Sequence, residues 1–187
     1  MALHLPADPP VVELALRTPL WRVHAREYDP LWFGRTGRYR FDAAAGEYGV
    51  CYFGSSLGVA ILETLVRGKR VPLIPRAELE ARSGSTLSPT THLQVLQLEG
   101  TGLPSFGLSA HEVTGPDYGA CQQLALDVWK RHPLLAGIQY RSRWDNSLCW
   151  ALFDRAETAL IVRETRWLGD PSLVTPALRP YKHVAVI

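Results

Sequence analysis

Apolar and polar positions alternate from Trp21 to Ala25, which predicts a first strand. Gly49 to Gly54 encloses the short apolar run Val50-Cys51-Tyr52-Phe53 and predicts a second. Ser55 and Ser56 follow and offer N-caps. The helix they open is expected to reach about Arg67, where Gly68 can end it. Along it Val59, Leu62 and Val66 form one apolar stripe, with Ile61 and Leu65 beside it, and Glu63 interrupts that surface. Further on, His92 to Leu98 predicts a strand. Pro116 stands near the start of a strong helix, Asp117 to about His132. Cys121, Leu124, Ala125 and Val128 make its apolar face, and Pro133 stops it. The last third predicts four short strands: Gly137 to Ser142, Leu148 to Phe153, Ala159 to Glu164 and His183 to Ile187.

Between these elements the pattern breaks. Residues 1–19 are Pro-rich with one short apolar run from Val11 to Leu16, and read as a small helix laid on the body or a loosely held arm. Arg26 to Arg40 is a Gly- and Arg-bearing loop, yet it holds Tyr28, Trp32, Phe33 and Tyr39, with Phe41 just beyond. Val71 to Pro89 reads as loop with one helical turn at Ala77 to Arg82, and Gly100 to Pro116 as irregular. This order predicts an α+β fold with a mixed or antiparallel sheet, not a doubly wound parallel one. Length supports one domain: an arm over 1–19 and a body over 20–187.

Composition narrows the class. Hydrophobic residues at 47% and charged residues at 20% exclude a disordered chain. No stretch approaches the roughly 20 apolar residues of a membrane-spanning helix. The first ten residues lack the basic start and apolar core of a signal peptide, so the expectation is a soluble, cytoplasmic protein without a membrane partner. A net charge of +2 does not argue for direct nucleic-acid binding. Of the 20 basic residues only Lys69, Lys130 and Lys182 are lysines, and Arg is the better bidentate partner for phosphate and carboxylate. Cys51, Cys121 and Cys149 form no C-x-x-C pair, sit among apolar residues and read as buried free thiols. The six histidines lack ligand spacing, so no metal site is expected.

Four places can carry chemistry. Arg22 lies on the first strand, as a surface residue or as a buried anion anchor. Arg35 to Asp42 packs three arginines, a glycine and two aromatics into eight residues, suited to phosphate and to a flat ring, or simply to solvent. In the strand–cap–helix run Tyr52 to Glu63, a carboxylate on an apolar helix is costly to bury unless paired, and the Ser- and Gly-rich cap suits anions. In Gly137 to Asp145 a strand delivers Ser142 between Arg141 and Arg143. Ser142 lies in no Gly-x-Ser-x-Gly elbow, which favours a binding role over a nucleophilic one. The chain has neither a G-x-G-x-x-G nor a P-loop.

An early Arg, then Arg40-Phe41-Asp42, then Tyr52 through Ser56 to Ala60 and Glu63, then Gly137-Ile138-Gln139-Tyr140-Arg141-Ser142-Arg143, resembles the RES domain family, named for an Arg, a Glu and a Ser. The likeness runs from Leu20 to about Phe153, while Lys69 to Pro116 gives no match. The resemblance implies an ADP-ribosyltransferase-like fold, a split mixed or antiparallel sheet with flanking helices. It implies a toxin of a bacterial toxin–antitoxin pair that degrades NAD+ by phosphorolysis or hydrolysis. NAD+ is then a substrate, inorganic phosphate a possible co-substrate, and no resident cofactor is needed. The implied partner is a helix-turn-helix antitoxin of the Xre class that covers the cleft, with DNA reached only through it.

By position, the resemblance puts the catalytic roles on Arg22, Glu63 and Ser142. Arg40, Tyr52, Ser56 and Arg143 become substrate-binding positions. Tyr39-Arg40-Phe41-Asp42 replaces the commoner G-G-R-W-N pattern. Cleavage of the nicotinamide–ribose bond passes through an oxocarbenium-like ribose that a carboxylate can stabilise. On this reading Arg22 and Arg40 clamp the pyrophosphate and Tyr52 lends a ring or hydroxyl beside nicotinamide. Two other functions remain open at this point: ADP-ribosyl transfer to a macromolecule, and a non-catalytic nucleotide-binding module.

Overall fold

A computed structural model describes residues 5–67 and 71–187. Its sheet has eight strands in the order β1-β6-β7-β8-β3-β2-β5-β9. These are β1 (Val11–Leu14), β2 (Leu20–Ala25), β3 (Val50–Gly54), β5 (Arg82–Pro89), β6 (Leu93–Gln97), β7 (Gly137–Arg141), β8 (Leu148–Phe153) and β9 (Leu160–Trp167). Only β6 and β7 run parallel; every other neighbouring pair in this sheet is antiparallel. A second, two-stranded parallel sheet joins β4 (Leu73–Ile74) to β10 (Ala185–Val186). Five helices flank these sheets: α1 (Leu57–Ile61), α2 (Arg76–Glu80), α3 (Ala110–Thr114), α4 (Gly119–Arg131) and α5 (Pro171–Leu178). The fold is α+β with a mixed sheet, as the sequence predicts.

The sheet is split. Strand β2 pairs with β5 at six positions but with β3 at one, Trp21 opposite Gly54. One core, holding Leu20 and Leu87 with Cys51, Phe53 and Leu152, runs under both sides, and each side also has a core of its own. The β3 side buries Val50, Ala151 and Phe153 under the α4 stripe of Cys121, Leu124, Ala125 and Val128. The β2 side buries Val23 under Leu57, Ile61, Leu62 and Leu65, with Val174 and Leu178 of α5. Helix α1 lies very close to α5: a Cβ on Gly58 would stand 2.4 Å from the Ala177 carbonyl oxygen. Only glycine admits that approach.

Several expectations need correction. Val11–Leu14 is neither a helix nor a loose arm; it pairs with β6 at the sheet edge. Arg82–Pro89, expected as loop and the end of a helical turn, is an eight-residue strand between β2 and β9. Its Ser83, Gly84 and Ser85 are buried without an apolar period, because β2 and β9 flank the strand and Leu57 and Leu168 pack directly on Gly84. Helix α5, with prolines at 171 and 176, is not among the elements that the sequence pattern predicts. The helix after Ser56 is not uniform: it turns α-helical through Ile61 and π-helical over Leu62–Val66. The predicted stop at Gly68 lies outside the described residues. All three cysteines are buried and free.

Candidate active site

The split between β2 and β3 opens into a cleft. Arg22 enters from β2 and Tyr52 from β3, and both line an inner cavity of about 50 Å³ together with Glu63, Thr64 and Tyr140. The same Arg22, Val23, Tyr52 and Thr64 line an outer cleft of about 350 Å³ walled by Tyr28, Trp32 and Tyr39.

Glu63 sits in the π-helical turn that follows α1. A π-turn inside a helix is a frequent companion of functional sites, and here Glu63 stands half-buried beside the cavity. The Ser142 hydroxyl donates to Glu63 Oε1 at 2.7 Å. Ser142 is buried, and the turn after β7 holds it tightly. Its amide donates to the Ser147 carbonyl, its carbonyl accepts from Asn146, and its Oγ accepts from the Trp144 amide at 3.2 Å. Asn146 takes the left-handed conformation that this turn needs, with φ of 61°. Tyr140 stands alongside. Burial, with Cys149 and Glu63 nearby, holds its phenol well above the usual range and keeps it neutral.

Arg22 donates to the Cys51 Sγ across the split. Burial pushes the Cys51 thiol up to about 11, so the thiol does not neutralise the guanidinium. Among the described residues no carboxylate forms an ion pair with Arg22. A half-buried Arg without an ion-pair partner beside a cavity has the chemistry to hold an anion. The site therefore sets a cation and a hydrogen-bonded carboxylate on one small cavity, where the one can hold an anionic group and the other can stabilise developing positive charge.

The family model of the RES domain matches residues 19–170. The chain belongs to the RES domain family. No curated protein matches it. Among solved structures it is similar to a chain of the M. tuberculosis MbcT–MbcA toxin–antitoxin complex. The TM-score is 0.72 at 19% identity, covering 88% of this chain and 91% of that one. That likeness establishes a shared fold.

Not every expected residue of this RES domain reaches the cleft. Arg40 is 9% exposed, donates to the carbonyls of Thr114 and Gly115, and lies 4.7 Å from the Tyr118 ring. It fastens its loop to the end of α3 and does not line the cleft. The Tyr52 hydroxyl is engaged as well: it accepts from the Phe41 amide and donates to Asp42 Oδ1, each at 2.9 Å. What Tyr52 offers the cleft is its ring, edge-on to Tyr39 at 5.8 Å. Asp42, buried, also accepts from the Thr36 hydroxyl and the amides of Arg38 and Tyr39. The departure at Arg40-Phe41-Asp42 thus builds a self-contained loop.

Arg143 is exposed and stacks over Trp144 at 5.2 Å, outside both cavities. Gly54-Ser55-Ser56-Leu57-Gly58 has the spelling of a nucleophile elbow between strand and helix. Its Ser56 has an extended backbone, φ −147°, and its Oγ accepts from the Val59 amide as the N-cap of α1. The strained turn of an elbow is absent there. Sequence reasoning missed Arg82 and His24, both of which line the outer cleft. Arg82 falls where the sequence predicts the end of a helical turn, and His24 on a strand resembles any core histidine.

Proposed function

We propose that this RES domain is the toxin of a toxin–antitoxin pair and that it breaks the nicotinamide–ribose bond of NAD+. The observation that carries the reading is the Glu63 carboxylate, held by Ser142 on the cavity that Arg22 also lines. Nicotinamide leaves neutral with the bonding electron pair, and the positive charge passes to an oxocarbenium-like ribose. Glu63 stabilises that charge, and Ser142 keeps the carboxylate oriented. Arg22 holds a phosphate of the substrate. Water then adds to C1′ and releases a proton, giving ADP-ribose, or phosphate adds and gives the sugar phosphate.

The structural relative from a toxin–antitoxin complex supports an antitoxin as partner; the family reading makes it a helix-turn-helix protein of the Xre class that covers the cleft and carries any DNA contact. NAD+ and such an antitoxin meet in the cytoplasm, and among the described residues no helix is long and apolar enough to cross a membrane. The test is incubation with NAD+, with and without phosphate, followed by product mass. Nicotinamide release is expected, and the mass of the second product names the acceptor. ADP-ribose found on a macromolecule would make the domain a transferase. Intact NAD+ in both conditions would leave a binding module.

A further inference from the structure

The inner cavity of about 50 Å³ is far below the roughly 300 Å³ at which small-molecule pockets begin, whereas the outer cleft of about 350 Å³ reaches that range. A larger cavity of about 640 Å³ lies beside Leu62, Trp144 and Asp145, but it shares no lining residue with the cavity at Glu63, whereas the outer cleft shares Arg22, Val23, Tyr52 and Thr64 with it and is the one continuous with the site. A dinucleotide cleaved at Glu63 therefore extends into the outer cleft. Two features there lack a protein partner. One is the pair Tyr28 and Trp32, with rings near parallel at 21° and centroids 6.4 Å apart. These residues are 60% and 61% exposed. Their turn is fixed, not loose: the Tyr28 amide donates to the Ala25 carbonyl and the Trp32 amide to the Asp29 carbonyl. The Leu31 amide also donates to Asp29 Oδ1 at 2.7 Å. Exposed aromatic faces held rigidly on a cleft wall suit a nucleobase, since every base has a π-face to stack.

The other feature is Arg82. Its Nε is buried with no hydrogen-bond partner, while its side chain lines the outer cleft. An N–H that cannot be deprotonated and has no acceptor is costly to bury, and a phosphate oxygen would satisfy it. Arg82 stands opposite Ala25 in the β2–β5 pair, three residues along β2 from Arg22. Glu63, held by Ser142, lines the smaller cavity, Arg22 lines both it and the outer cleft, and Arg82 with the aromatic pair lines the outer cleft. That division matches nicotinamide riboside, phosphates and second base.

We infer that Arg82 and the Tyr28–Trp32 pair form the subsite for the AMP half of the dinucleotide, an inference that rests on the NAD+ reading above. The direct test is calorimetric titration with ADP-ribose, which lacks nicotinamide, and with nicotinamide mononucleotide, which lacks the AMP half. Trp32→Ala and Arg82→Gln are each expected to weaken ADP-ribose binding about tenfold or more, with an unchanged Tm. Trp32→Phe keeps a ring and restores most of the affinity. The mononucleotide should respond to none of these changes. Unchanged ADP-ribose affinity in both variants, no ADP-ribose binding to the wild-type chain, or an equal loss for the mononucleotide overturns the subsite. A loss in one variant alone removes the other residue from it. Nicotinamide release is measured separately. Binding that depends on Trp32 and Arg82 without NAD+ cleavage refutes the reaction and keeps the subsite. Cleavage with an unchanged KM in Trp32→Ala and Arg82→Gln overturns the subsite and keeps the reaction.

Discussion

The two edges of β2 do opposite work. Along one edge all six residues, Leu20 to Ala25, pair with β5. There the His24 Nδ1–H donates to the Ala25 carbonyl, so Nε2 accepts from the Ser85 hydroxyl at 2.8 Å. Ser85 in turn takes a hydrogen bond from Thr165. Along the other edge a single pair, Trp21 with Gly54, ties β2 to β3. Beyond it stand Arg22, Tyr52 and open volume. A strand left unpaired on one side exposes backbone groups and loses ladder energy. Here six pairs on the far side hold the strand in place, so the near side is free to carry a charge. Stability and chemistry are thereby assigned to different edges of the same strand.

If that assignment holds, damage to the paired edge should unfold the protein without altering its chemistry. Leu87→Ala on β5, at a fully buried position, is expected to cost about 2–5 kcal/mol of stability. The fall in Tm should leave NAD+ cleavage per folded molecule unchanged. Damage to the open edge should do the reverse. Glu63→Gln removes the charge and keeps the shape, so nicotinamide release should slow about a hundred- to thousandfold while Tm and NAD+ affinity hold. Near wild-type turnover would strip Glu63 of its role. Arg22→Ala removes a charge-assisted phosphate contact worth about 1.5–3 kcal/mol, so NAD+ should bind roughly ten- to a hundredfold more weakly. An unchanged Kd in the folded variant would take Arg22 out of the site.

The smallest effect belongs to His24 and to pH. Burial is the leading cause that lowers its pKa below the ordinary 6.5. As the pH falls the unfolded chain therefore takes up the proton first. The stability that neutral His24 contributes is complete above pH 6.5 and is lost below it, by at most about 1.4 kcal/mol per pH unit. His24→Gln should flatten the decline of Tm between pH 6.5 and 5.5, measured against wild type at each pH. An identical slope in both proteins would place the acid sensitivity elsewhere.

Local pattern carried a good part of this fold. The alternation at Trp21 to Ala25, the apolar run Val50 to Phe53 and the stripe of α4 each became the element they predict, because α4 buries one stripe while β3, apolar throughout, is buried on both faces. Glu63 was legible locally as well: a carboxylate amid apolar helix positions is a local contradiction. Strand β5 was not legible, since Ser83, Gly84 and Ser85 are buried by Leu57, Leu168 and the strands on either side, none of them encoded nearby. The same limit divides the arginines. Arg40 and Arg82 are alike as residues, and composition cannot say that one ends on the carbonyls of Thr114 and Gly115 while the other faces a cleft. Nor does any spacing announce that Ser142 will meet Glu63 across 79 residues. Periodicity reports which face of a segment avoids water, whereas the partner of a charge is chosen by whichever strands the fold brings beside it.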